Sequence, residues 1–135
     1  MEKQNLKILL IDDDPIEALK FNRAVSDSSH HKIEVVTDGD AAMEKLETFR
    51  PNIILLDLNM PLTDGIEFLG FLKSNDSLRQ IPVIILTTSD NDSDLRYCYN
   101  IGIAGYMIKP LSYEAYEEKI RGILNYWSLN NFVKA

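Results

Sequence analysis

The residues best suited to chemistry are Asp12-Asp13-Asp14, Asp57, Thr87-Thr88 and Lys109-Pro110. Each group directly follows a short apolar run: Ile8 to Ile11, Ile53 to Leu56, Val83 to Leu86 and Ala104 to Ile108. If those runs are strands of one parallel sheet, their ends share one edge, where open α/β sheets bind ligands. Three carboxylates, a hydroxyl and an ammonium would then converge. Two carboxylates about 4 Å apart repel by roughly 4 kcal/mol at an effective dielectric near 20. A divalent cation removes that cost, and a set of oxygen ligands favours magnesium, manganese or calcium. Magnesium keeps waters and leaves positions for phosphate oxygens. On this reading Asp12 and Asp13 hold the ion, and Asp57 attacks a phosphorus atom as a carboxylate nucleophile. Lys109 and the ion would neutralise charge on the transferring group.

Taken singly, each feature has an ordinary explanation. Adjacent acids after a strand are often solvated loop or cap residues, a threonine there is often a turn residue, and Lys-Pro alone carries little. Their order after successive strands is the specific signal.

The elements that must position them are legible in the same way. A weaker apolar run, Ile33 to Val36, follows the His30-His31 turn region. Runs this short and rich in Ile and Val suit strands covered on both faces. Between them, apolar residues recur at helical spacing: Ala18, Phe21 and Val25; Ala42, Leu46 and Phe49; Ile66, Phe68, Leu69 and Leu72; Leu95, Cys98 and Gly102. The last stripe is Tyr113, Tyr116, Ile120, Ile123 and Trp127. Asp14-Pro15 places a cap before a proline at the first helical position. Asp64-Gly65-Ile66-Glu67 resembles a capping box, and Ser112 suits the start of the final helix. Strand and helix alternate five times, which implies a doubly wound α/β domain with a five-stranded parallel sheet.

Composition narrows the function. A length of 135 residues suits one compact domain. A net charge of −7 argues against a broad nucleic-acid surface, which needs clustered Lys and Arg. The lone Cys98 excludes an internal disulfide and a cysteine-based metal site, and reads as a small apolar residue on a helix. The polar start, Met1-Glu2-Lys3-Gln4-Asn5, is neither a signal peptide nor a membrane span, so a cytoplasmic protein without membrane contact is expected.

The motifs Ile8-Leu9-Leu10-Ile11-Asp12-Asp13-Asp14-Pro15, Ile54-Leu55-Leu56-Asp57-Leu58-Asn59-Met60-Pro61 with Asp64-Gly65, Pro82 to Thr88, and Gly105-Tyr106-Met107-Ile108-Lys109-Pro110 resemble those of two-component response regulators with a single receiver (CheY-like) domain. The resemblance implies the flavodoxin-like (βα)5 receiver fold over residues 1–135, with a core over about 5–125 and a C-terminal helix extension over about 126–135. It implies that a sensor histidine kinase or a histidine phosphotransfer protein donates a phosphoryl group to Asp57. Asp13, Asp57 and the backbone carbonyl of Asn59 would ligate magnesium, with manganese as an alternative, while Asp12 acts through a water. Thr87 and Tyr106 would switch with the new group, and the Lys109-Pro110 bond would be cis. The chain would catalyse only its own phosphorylation and dephosphorylation. The surface of the fourth helix, fifth strand and fifth helix would then change for a separate protein target, since no output domain follows residue 135.

Two local features are less standard. Thr88 stands where a small Ala or Ser is common, and Asn59 and Ser89 occupy positions that tune dephosphorylation. The aromatic tail, Asn125-Tyr126-Trp127 and then Leu129 to Val133, is similar to that of small stand-alone regulators paired with phytochrome-like histidine kinases. It either completes the core or serves a homodimer or partner contact.

Three rivals are separable. A phosphatase of the haloacid-dehalogenase type needs a second Asp two residues after the nucleophile, where this chain has Asn59, and it would turn over a phosphate ester. A flavodoxin-like flavin binder needs Gly, Ser and Thr rather than three aspartates after the first strand, and it would be coloured. A degenerate receiver serving only as a binding module would lack site residues and would not be phosphorylated.

Overall fold

The computed structural model describes residues 4–26, 31–60 and 63–134. Met1 to Lys3, His30 of the expected turn region and Pro61 of the Asp57 motif lie outside the described residues. Five strands, β1 (Lys7–Ile11), β2 (Lys32–Val36), β3 (Ile53–Leu56), β4 (Val83–Thr87) and β5 (Gly105–Ile108), form one parallel sheet in the order β2-β1-β3-β4-β5. Five helices alternate with them: α1 (Pro15–Val25), α2 (Gly39–Leu46), α3 (Gly65–Ser74), α4 (Asp92–Ile101) and α5 (Tyr113–Ser128). The doubly wound arrangement is the one expected. A short antiparallel ribbon, Asn59–Met60 against Thr63–Asp64, follows β3 and had no signal in the hydrophobic pattern.

Alternation along the buried strands feeds two cores, because successive side chains point to opposite faces. Leu9, Ile11, Ile54, Leu56, Val83 and Ile85 pack with Ala42 of α2, with Phe68, Leu69 and Leu72 of α3, and with Cys98 of α4. Ile8, Leu10, Ile53, Leu55, Ile84 and Leu86 pack with Phe21, Ala24 and Val25 of α1 and with Tyr116, Ile120, Ile123 and Leu124 of α5. Coverage of both faces holds for β1, β3 and β4. The edge strand β5 is only half covered, and Ile108 is 38% exposed.

The helix starts follow cap chemistry. Asp14 accepts the Ile16 N–H at 2.9 Å with Pro15 at the first helical position, and Ser112 Oγ accepts the Ala115 N–H at 3.2 Å. Asp64 caps α3 by accepting from Ile66 and Glu67, while Asp38 and Asn91 cap α2 and α4. Gly102 is not part of the α4 stripe. It ends that helix at φ 116°, a left-handed conformation that glycine adopts without a Cβ penalty.

Two further expectations need correcting. The C-terminal extension is helical only to Ser128, where Gln4 N–H donates to the Ser128 carbonyl at 3.0 Å and ties the beginning of the described chain to the helix end. Beyond it Phe132 returns to stack on Trp127, with ring centroids 6.1 Å apart, and both rings close the α1–α5 core. Tyr126, Leu129 and Val133 remain exposed, so the tail is divided between core and surface. The Lys109-Pro110 bond is trans. From that backbone the Lys109 ammonium reaches Asp12 at 2.8 Å and Asp57 at 3.2 Å.

Candidate functional site

The parallel register puts the chemistry at one level. Ile11 lies opposite Leu56, and Leu56 opposite Ile85, so Asp12 and Asp57 emerge side by side. Their backbones continue the ladder: the Asp12 N–H bonds the Val36 carbonyl and the Asp57 N–H bonds the Ile11 carbonyl, both at 3.0 Å. Thr87 pairs with Ile108, and the next N–H, from Lys109, bonds the Thr87 carbonyl at 2.8 Å. This is the crevice beside β1 and β3, where the strand order reverses.

Asp12, Asp13 and Asp57 each offer an oxygen within 4.8 Å of the others. Asp12 and Asp57 are buried, and Asp13 is half-buried. The Lys109 ammonium sits among carboxylates, 2.8 Å from Asp12 Oδ2, 3.2 Å from Asp57 Oδ2 and 3.8 Å from Glu17 Oε2. Burial works against that ammonium, but its bond to Asp12 and the charges of Asp12, Asp57 and Glu17 outweigh it, so Lys109 titrates above its usual range. Asp12 is the converse case. Burial lifts its carboxyl above the ordinary range, despite the bonds from Lys109 and the Asp14 N–H and with the charge of Asp57 adding to the lift. One lysine shared among several carboxylates is over-supplied, and the carboxylates are under-supplied. A hard divalent cation fits such a donor set.

The hydroxyl side of the site is organised by Asn59. Its N–H donates to Asp57 Oδ1 at 3.0 Å, and its side-chain amide donates to Thr87 Oγ1 at 3.3 Å and Thr88 Oγ1 at 3.1 Å. Thr87, fully buried, also accepts the Ser89 N–H at 3.3 Å. The Tyr106 hydroxyl donates to the Ser89 carbonyl at 2.9 Å, and Ser89 Oγ donates to Asp94 Oδ2 of α4 at 3.0 Å. Gly65 is required by close approach: a Cβ there would lie 2.6 Å from Leu58 Cα and 3.0 Å from the Asp57 carbonyl.

All the expected residues are therefore in this region. Asp12, Asp13, Asp57 and Lys109 meet directly, Thr87 joins through the Asn59 amide, and Tyr106 is one step further out through Ser89. The sequence reading missed Glu17 and the side-chain bonds of Asn59. For Glu17 the available signal was its place in the first turn of a helix that Asp14-Pro15 begins beside Asp12.

A doubly wound α/β domain with an acidic oxygen cluster and an opposed lysine at its switch point defines the class. The chain belongs to the family of response regulator receiver domains, whose match spans residues 8–121. It is 39% identical over 127 residues to the probable methanogenesis regulatory protein FilR2 of Methanothrix harundinacea, covering 89% of this chain and 82% of that one. It is 34% identical to response regulator Rcp1 of a Synechocystis species, covering 89% of this chain and 87% of that one. The structure of the Mn2+-bound form of Rcp1 superposes with a TM-score of 0.88 at 33% identity, covering 96% of this chain and 99% of that chain. The phosphorylated cyanobacterial phytochrome response regulator RcpA superposes with a TM-score of 0.91 at 31% identity, covering 97% and 100%. The chain is thus a receiver domain of two-component, phosphorelay signalling, which separates it from the phosphatase and flavin-binding alternatives. Among the described residues no helix is long and apolar enough to cross a membrane.

Proposed function

We propose that Asp57 is the phosphoacceptor of a magnesium-dependent switch, receiving its phosphoryl group from a sensor histidine kinase or a histidine phosphotransfer protein. The observation that carries this is the convergence of Asp12, Asp13 and Lys109 on the Asp57 carboxylate. A carboxylate oxygen of Asp57 attacks phosphorus; an O–P bond forms, the P–N bond to the donor imidazole breaks, and its electron pair leaves on that nitrogen. Asp13, Asp57 and the Asn59 carbonyl hold Mg2+, or Mn2+ in its place, with Asp12 acting through a water; the Mn2+-bound form of Rcp1 supports the choice of ion. When bound, the ion supplies positive charge for the phosphoryl oxygens. Lys109 supplies the remaining cation, and the buried walls around Asp57 limit water.

The Thr87 hydroxyl leaves Asn59 and Ser89 to bond the new phosphoryl group, and Tyr106 follows through Ser89. Phosphorylation adds negative charge and acceptor oxygens, which biases the α4–β5–α5 surface toward a downstream protein. The chain acts on no other substrate and catalyses only its own phosphorylation and dephosphorylation. It works in the cytoplasm through this receiver domain, as a relative of the phytochrome-type regulators. Exposed Tyr126, Leu129 and Val133 offer a surface for a homodimer.

Intact-mass measurement after incubation with acetyl phosphate tests this. One phosphoryl adduct is expected, dependent on magnesium and absent in Asp57→Asn. No adduct even in the cold would leave a receiver-shaped binding module as the better reading.

A further inference from the structure

The least explained group near the site is Glu17. It lies in the first turn of α1, where any acid is favoured by the helix dipole, so its sequence position is unremarkable. Its surroundings are not. Glu17 Oε1 is 3.5 Å from the Lys20 ammonium, but Oε2 is buried and makes no hydrogen bond among the described residues. A buried carboxylate oxygen without a donor is costly to the folded state. The Lys109 ammonium lies 3.8 Å from that oxygen, beyond hydrogen-bond reach while it is held by Asp12 and Asp57.

We propose that Glu17 is a positioning residue that receives Lys109 when a divalent ion, held by Asp57 directly and by Asp12 through a water, draws both carboxylates away from the ammonium. The proposal rests on the magnesium-dependent reading above. An entering ion competes with the ammonium for those two carboxylates. Without another anion close by, a displaced lysine would be a buried, unpaired charge, and the ion would bind against that penalty. Glu17 offers the replacement partner at a distance that a small rotation of the Lys109 side chain closes, and its own orphan oxygen gains a donor. Its negative charge also attracts the ion, so both effects strengthen ion binding. The Glu17 oxygen is strained in the resting protein and satisfied in the loaded one.

The test is calorimetric titration of the ligand-free protein with MgCl2, with thermal melting of the same samples. Glu17→Gln should weaken Mg2+ binding about tenfold, which is about 1.4 kcal/mol, while melting close to the parent, because the buried carboxylate oxygen without a donor goes together with the ion pair to Lys20. Glu17→Asp should retain most of the affinity. A Lys109→Met background supplies the cycle: if Glu17 acts by receiving the ammonium, Glu17→Gln should cost clearly less there. Unchanged Mg2+ affinity in Glu17→Gln, or a lowered melting temperature with no loss of affinity, overturns the inference and makes Glu17 a structural residue. An equal loss with and without Lys109 overturns the receiving role. A parent protein that binds no Mg2+ overturns the inference together with the magnesium-dependent reading. A parent that binds Mg2+ but takes no phosphoryl group fails the phosphoacceptor reading alone.

Discussion

The half of the molecule that holds the site and the half that would report on it are built differently. Every residue from Ile8 to Ile11 of β1 and from Ile53 to Leu56 of β3 is buried, and α3 buries Gly65, Phe68, Leu69 and Leu72 beneath them. On the other side no residue of β5 is fully buried, and α4 buries only Cys98, leaving Tyr97 and Tyr99 about half exposed. Carboxylates that must meet a small cation need walls that do not give, since close-packed interiors deform little. A surface that must change when one group is added is better drawn from the less stable end of the structure. Beyond the shared sheet and core, a polar chain links the halves: Asn59 to Thr87, Thr87 to Ser89, and Ser89 to Tyr106 and Asp94.

The largest effect should come from the holding half. Leu55→Ala removes a fully buried side chain from β3 and should cost about 3 kcal/mol. Ile108→Ala on β5 should cost under about 1 kcal/mol, because that side chain is partly solvated already. Urea denaturation with an unchanged m-value measures both, and equal losses would break the comparison.

Next comes a pair of glycines. Gly65→Ala drives a methyl group into the Leu58 backbone, so a loss of about 1–3 kcal/mol is expected. Because the Asp57 carbonyl lies on the same path, phosphoryl uptake should slow as well. Gly122 in α5 has nothing within 4 Å of the added Cβ. Gly122→Ala should therefore stabilise by about 0.5–1 kcal/mol and leave uptake alone. Melting curves and intact-mass time courses separate the two, and a neutral Gly65→Ala would mean that the Asp57 loop is softer than its packing implies.

The same contrast governs what could be read from sequence. Strands β1, β3 and β4 were legible because burial on both faces leaves uninterrupted Ile, Leu and Val, and the acids that end two of them are visible as abrupt changes of polarity. The caps Asp14, Asp64 and Ser112 were legible because their partners are two or three residues away. Asp38 and Asn91 carried the same local signal and could have been named. Glu17 could not be paired with Lys109 from sequence, since 92 residues separate them and only the placement of α1 beside the end of β5 joins them. The Asn59 amide bonds depend likewise on the β3–β4 register and on the ribbon that turns the chain after Asp57. The Ser128 carbonyl at the end of α5 accepts from Gln4, at the far end of the chain, a contact that no local pattern shows.

The last effect, absent at neutral pH, probes the reporting half in solution. Burial, with the charge of Asp94 adding to it, pushes the Cys98 thiol up to about 11. The folded protein thus holds the proton more tightly than the unfolded chain, whose thiol titrates near its usual 9.0. Stability from this group is full below pH 9 and declines as pH rises toward 11, where the unfolded state has already released its proton. Tyr106 shifts in the same direction, mainly through burial, so it adds to the alkaline loss, which Cys98→Ala should remove only in part. At pH 8 the native thiol should resist iodoacetamide, because the thiolate is the nucleophile. Any slow labelling then reports opening of α4. Labelling faster than global unfolding measured in the same buffer would show that α4 opens by itself, with the core beneath α3 intact. Labelling no faster than global unfolding would mean that α4 opens only when the whole domain does, and the polar chain through Ser89 and Asp94 would have to carry the switch without local loosening.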